Sequence, residues 1–157
     1  MSIEDIEKDI YSSFASLAST IGYSEIHGRI IAALMVSDKK LSLQGLSEKT
    51  GYSISTLSLS LDLLEFFGMI KKIKNAGDRK LYLELHGDLL EGLKMAFTVK
   101  IQKSVTDSLN RFREYKENLK DSKDKDKSRV VNVLNILEQE IQRLDKYINL
   151  LAKLKLR

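Results

Sequence analysis

Five cations fall within ten residues of this chain: Lys71, Lys72, Lys74, Arg79 and Lys80, around the turn Asn75-Ala76-Gly77-Asp78. A short way upstream stand four hydroxyls on a helical pattern, Ser53, Ser55, Thr56 and Ser58, interleaved with Ile54 and Leu59. Hydroxyls at a helix N-terminus and a loop of cations bind anionic oxygen, so this is chemistry for a polyanion. Charge alone also fits a solvated lysine-rich surface. Other chemistries lack their residues. The chain has no Cys and two widely separated His, so it has no thiolate nucleophile and no zinc site of the Cys type. It has no His–carboxylate pair at ligand spacing and no phosphate-binding Gly motif. Asp121, Asp124 and Asp126 alternate with Lys, which does not make a calcium loop. An enzyme is not expected, and neither is a cofactor or a metal.

The elements that position these groups can be read from punctuation and periodicity. The chain has 157 residues, no Pro, 43% hydrophobic and 31% charged residues, which favours a soluble, helix-rich protein. No apolar run approaches a membrane span, and the acidic start MSIEDIEKDI is not a signal peptide; a cytoplasmic protein is expected. The net charge of +4 is unevenly placed. Up to Asp38 acidic residues dominate. From Lys39 to Lys80 the basic residues outnumber Glu48, Asp62, Glu65 and Asp78.

A first helix is expected from Ile3 to about Ile21, capped by Ser2 with Asp5, its apolar stripe running Ile3, Ile6, Ile10, Phe14, Leu17 and Ile21. Ser24 caps a second, to about Ser37, with His27 in its first turn as a capping or surface residue. Leu41 suits a short strand against the later hairpin. Ser42 caps a helix over Leu43 to Thr50, and Gly51 ends it in the left-handed conformation. Tyr52 can plug the gap to the next helix, which Ser53 caps and Gly68 closes. On that helix Leu57, Leu61 and Leu64 face inward, while Ile54, Ser55, Thr56, Ser58, Leu59 and Ser60 face out.

Met69–Lys74 and Arg79–Leu85 read as two strands of a hairpin. The adjacent Lys71 and Lys72 break the alternation and predict a bulge or strand end. Asp88 caps a long helix to about Lys120, and the polar run Asp121–Ser128 is a turn. The last helix, from Arg129, carries Val130, Leu134, Leu137, Ile141, Leu144, Ile148 and Leu151 at alternating steps of four and three, a heptad seam. An antiparallel hairpin of these two helices, packed on a second copy with the first helix contributing, would cover the apolar stripes.

The predicted architecture is mainly α with a small β-wing: a winged helix-turn-helix with long N- and C-terminal dimerisation helices. Residues 1–22 form the packing helix, 23–86 the DNA-binding domain and 87–157 the helical hairpin. The run YSISTLSLSLDLLEFFGMIKKI, followed by GDRKLYLE, resembles the MarR superfamily of winged helix-turn-helix transcriptional regulators, and within it the GbsR-type branch most. Ser53, Ser58, the trio Leu57, Leu61 and Leu64, Glu65 before two aromatics, the Gly68-Met69-Ile70 exit and Arg79-Lys80 with Tyr82 carry the resemblance. It implies a homodimer on double-stranded DNA, each recognition helix in a major groove and each wing beside a minor groove. By position it implies recognition-helix contacts from Ser53, Ser55, Thr56, Ser58 and Leu59, and a minor-groove contact from Arg79. The chain departs from the pattern at Ile54, Leu59 and Leu63, where the family commonly has polar or basic residues.

From the residues themselves, Lys71, Lys72, Lys74, Arg79 and Lys80 supply phosphate or groove contacts, and Ile54 or Leu59 meets thymine methyls. The alternative is a winged-helix module that binds protein through the apolar face of Ile54, Leu59 and Leu63. Tyr11, Phe14, Tyr23 and Phe97 are candidates to line an effector pocket, although aromatics on helical stripes are commonly core. No effector is assigned.

Overall fold

Described over residues 1–155, the computed structural model has six helices and three strands. In chain order they are α1 (Ile3–Thr20), α2 (Glu25–Val36), β1 (Lys40–Ser42), α3 (Leu43–Thr50), α4 (Ile54–Phe66), β2 (Ile70–Lys74), β3 (Leu81–Leu85), α5 (Leu89–Leu119) and α6 (Lys127–Lys153). The chain divides into two compact units, Met1–Leu93 and Lys94 onward.

The first unit is built on α2. Ile30, Ala32, Ala33 and Leu34 are fully buried, and α1, α3, α4, β1 and β3 all touch this helix. A helix hydrophobic on every side belongs in a core. α1 begins as expected: Ser2 and Asp5 form a reciprocal capping box, the Ser2 amide donating to the Asp5 carboxylate at 2.8 Å and the Asp5 amide to Ser2 Oγ at 3.1 Å. Its face toward α2 is made of small residues, and part of the expected apolar stripe stays exposed on the single chain. The buried residues are Ala15 and Ala18, whereas Ile3, Ile6 and Leu17 are exposed. Size is the reason. A Cβ on Gly28 of α2 would lie 2.0 Å from the Phe14 carbonyl oxygen and 2.7 Å from the Ala15 amide nitrogen. The two backbones touch, and only small side chains fit between them.

Ser24 occupies the N-cap position of α2 without a capping bond from its side chain. His27 Nδ1 lies 3.1 Å from the Ser24 carbonyl oxygen, a local hydrogen-bonding position rather than a cap on the free amides of α2. β1 pairs antiparallel with β3, as Leu41 suggested, and the sheet order is β1-β3-β2. The β2–β3 ladder runs unbroken from Ile70↔Leu85 to Lys74↔Leu81, so the expected bulge at Lys71–Lys72 is absent. Both strands are shorter than predicted, and Met69, Arg79 and Lys80 lie outside them. Strict alternation puts Lys72 on the same face as Ile70, beside the fully buried Leu83.

In the second unit, α5 and α6 run antiparallel. Lys94 reaches the Leu154 carbonyl, Gln102 donates to Asn149 at 3.0 Å, and Lys116 pairs with Glu138. The pairing order fixes the direction, and Val105, Leu134 and Ile148 are buried. α6 begins at Lys127, two residues before the expected start.

Replacing Gly28 with Ala must push α1 off α2 or unwind the contact. Overpacking of this kind costs roughly 1–3 kcal/mol, and contact with backbone on the far side places Gly28→Ala at the upper end. Urea denaturation checks this; an unchanged midpoint would mean that the crossing has slack.

Candidate nucleic-acid interface

The turn between α3 and α4 depends on short polar side chains and one glycine. Ser42 Oγ accepts the Gly45 amide at 3.0 Å and caps α3. Gly51 ends it at φ +75°, a conformation that costs an L side chain steric strain. Ser47 Oγ donates to the Tyr52 carbonyl at 2.6 Å, and Tyr52 is half-buried between the helices. Leu46, Leu57, Leu61 and Leu64 bury the inner faces of α3 and α4.

The outer start of α4 is a cluster of hydroxyls. Ser53 Oγ accepts the Thr56 amide at 3.2 Å, and it lies 3.1 Å from Ser55 Oγ and 2.7 Å from Thr56 Oγ1. Ser58 Oγ donates back to the Ile54 carbonyl at 2.9 Å. Ser53, Ile54, Ser55, Thr56, Ser58 and Leu59 are all exposed, Leu59 at 81%. Ser60 corrects the expectation: it is buried, one residue before Leu61 on the inner stripe. Leu63 is half-buried, so the exposed apolar face consists of Ile54, Leu59 and Phe66.

The five wing cations divide in two. Lys71 is exposed on β2, and Lys74, Arg79 and Lys80 are exposed around the tip, where the Lys80 amide donates to Asp78 Oδ1 at 2.9 Å and the Asp78 amide to the Asn75 carbonyl at 3.2 Å. Lys72 is placed otherwise. Its ammonium bonds Asp62 and lies 3.7 Å from Glu65 Oε1, and its amide donates to Glu65 Oε2 at 3.2 Å. The Asp62 carboxylate holds this ammonium above the usual lysine range against the opposing pull of burial. A raised lysine pKa means stability that is present at neutral pH and is lost only as pH rises through that raised value. Lys72 therefore fastens the wing to the last turns of α4, a role that sequence spacing hid because its two acidic partners lie on another element.

The sheet register adds a cation that the sequence reading left out. Lys40 on β1 and Lys71 on β2 both stand opposite Glu84 of β3, on one face of the sheet, and Lys40 Nζ lies 5.4 Å from the Tyr82 ring centroid. The signal was the strand at Leu41, whose pairing partner the sequence did not name.

The aromatics proposed for a pocket are distributed differently. Tyr23 makes edge contacts with Phe67 and His27 at 5.7 and 5.9 Å between centroids. Tyr11 lines a polar groove of about 540 Å³ with Glu4, Glu7, Lys8, Ser12, Arg29, Lys49 and Thr50. Among the described residues no three His, Asp or Glu side chains come together to hold a metal ion, and no helix is long and apolar enough to cross a membrane.

The fold has a solved counterpart. The chain is similar to a crystal structure of a transcriptional regulator, with a TM-score of 0.63 at 16% identity, over 91% of this chain and 92% of that one. At that identity the likeness is one of fold: mainly helical with a small three-stranded antiparallel sheet. No protein-family model and no curated protein matches the chain.

The cap on α4 predicts a graded result. Ser53→Ala should cost about 1 kcal/mol of stability, whereas Ser55→Ala, which removes no cap, should change it by less than about 0.5 kcal/mol. Equal effects in urea denaturation would deny Ser53 its capping role.

Proposed function

We propose that this chain is a sequence-specific double-stranded DNA-binding transcriptional regulator of the cytoplasm, acting as a homodimer. The observation that carries the reading is the pairing, within one compact unit, of an exposed hydroxyl-lined start of α4 with four exposed wing cations, Lys74, Arg79 and Lys80 about the tip and Lys71 on β2. α4 enters a major groove from its N-terminal end. Ser53, Ser55, Thr56 and Ser58 bond phosphates or base edges, and Ile54 and Leu59 meet thymine methyls. Lys71, Lys74 and Lys80 contact phosphates, with Arg79 at the minor groove. Lys72 leaves the contact set, since Asp62 and Glu65 already engage its charge. Likeness in fold to a transcriptional regulator supports the class. The recognition-helix and wing motifs support membership of the MarR superfamily, GbsR-type branch.

Residues 23–86 are the DNA-binding domain in this reading, with 1–22 and 87–157 as dimerisation segments. Two copies then present their α4 helices about 34 Å apart, one helical turn of DNA. A second reading is favoured by one observation, the 81% exposure of Leu59. It makes the outer face of α4 a protein-docking surface on a module without DNA binding.

Salt dependence separates these. Each phosphate contact lowers the slope of log affinity against log salt by about 0.9. Arg79→Ala should weaken binding to genomic fragments from upstream of the protein's own gene and flatten that slope by roughly one charge. Lys72→Met should leave the slope unchanged while destabilising the fold by at most about 1 kcal/mol, the range of a solvent-screened pair. Equal slopes for native protein and Arg79→Ala would remove Arg79 from the interface.

A further inference from the structure

The excess of positive charge lies outside the unit that carries α4 and the wing. Residues 1–93 hold 10 Lys and Arg against 13 Asp and Glu, whereas residues 94–157 hold 16 against 9. The excess belongs to the hairpin of α5 and α6, and one face of that hairpin concentrates it.

Two contacts between the helices mark this face: Gln102 donates to Asn149 at 3.0 Å, and Lys116 pairs with Glu138. At about 100° per residue, Asn110 and Arg113 of α5 lie within about 80° of Gln102. On α6, Asn135, Gln139, Gln142, Lys146 and Lys153 lie within about the same angle of Asn149. All seven are exposed. Leu137 and Leu144 are turned at least about 120° away, so the polar face is separate from the exposed apolar side of α6.

The carboxylates of this face are already engaged. Glu138 pairs with Lys116, Glu117 with Lys120 at 2.6 Å, and Asp145 accepts the Asn149 side-chain amide at 3.1 Å. Arg113, Lys146 and Lys153 make no ion pair among the described residues. Asp107 and Glu114 fall on the outer side of α5, about 120–140° from Gln102. A solvated surface of mixed charge leaves both signs without partners. On this face only cations are left over, and neutral amides separate them.

Amides donate and accept, and with Lys and Arg they are side chains that hold phosphate oxygens without reading sequence. From Asn135 to Lys153 the face runs about 27 Å, the length of about eight base pairs. A second copy is a poor occupant, because a two-fold contact would set the leftover cations against one another. We infer that this face holds the phosphates of duplex DNA flanking the segment met by α4 and the wing, with Arg113, Lys146 and Lys153 as its anchors. The inference rests on the DNA-binding reading above and adds a contact to it.

The test compares the native full-length protein with the triple variant Arg113→Gln, Lys146→Gln, Lys153→Gln on two duplexes. One has about 20 base pairs and holds a single two-half-site sequence recovered by genomic selection; the other centres the same site in about 60. The native protein should bind the longer duplex at least about tenfold more tightly, its slope of log affinity against log salt steeper by about 2.7 for each subunit engaged. The variant should lose that gain while keeping its affinity for the short duplex and its urea midpoint. A variant that keeps the gain would overturn the inference. Equal weakening on both duplexes would place the three residues at the segment met by α4 and overturn it as well. Native protein that binds both duplexes equally would overturn the inference and leave the regulator reading standing. Native protein that binds no duplex at low salt would remove both.

Discussion

The first unit depends on the place where the backbones of α1 and α2 touch at Gly28. With no room for a Cβ, α1 lies flat on α2, and α2 is then enclosed by α1, α3, α4 and the sheet. Its zero-exposure residues are the floor on which Leu46, Leu57 and Leu61 pack. α4 packs on α2, α3 and β2, so the direction in which its hydroxyls point is set from the same central helix that receives α1 at Gly28. Small residues do the positioning, and the large ones then fill the core around them.

A second constraint joins the wing to α4. Lys72 sits on the inner face of the hairpin because the ladder does not bulge, and from there it meets Asp62 and Glu65. The hairpin is thus held by a charge that the sequence offers as one of five equals. Lys71 is left at the surface by the alternation, Lys74 by standing at the end of β2, and Arg79 and Lys80 by preceding β3. Between Lys71 and Lys72, charge available to a ligand and charge that positions are separated by the period of two in a strand.

The order of elements was legible from caps and periods. Ser2 with Asp5, Ser42, Gly51, Ser53, Gly68 and Asp88 each mark a boundary by local chemistry, and local chemistry survives folding. The Leu57, Leu61 and Leu64 stripe was equally plain, since leucines recurring at helical spacing gain most by packing into a core. The long-range content was not legible. That Ala15 and Ala18, rather than Ile3, Ile6 and Leu17, are the residues of α1 buried against α2 was not legible, because the clearance at Gly28 is a property of two helices together. Ser60 was read as outward from its polarity, yet it sits beside Leu61 on the buried side. Lys72 found its partners on α4 and Lys40 its neighbours through sheet register, which no single element contains. Of the candidate site, the exposed hydroxyls and the tip cations were visible in the sequence, and the pairing state of each cation was not.

If two copies of the α4 start and the wing tip read one face of a DNA duplex, the native, full-length protein must select its own sites from the genome. Selection of bound genomic fragments tests this directly. The predicted result is enrichment of a two-fold symmetric site whose half-sites are centred about 10 base pairs apart, with binding that falls steeply as salt rises. A folded protein that enriches no fragment at low salt would contradict it.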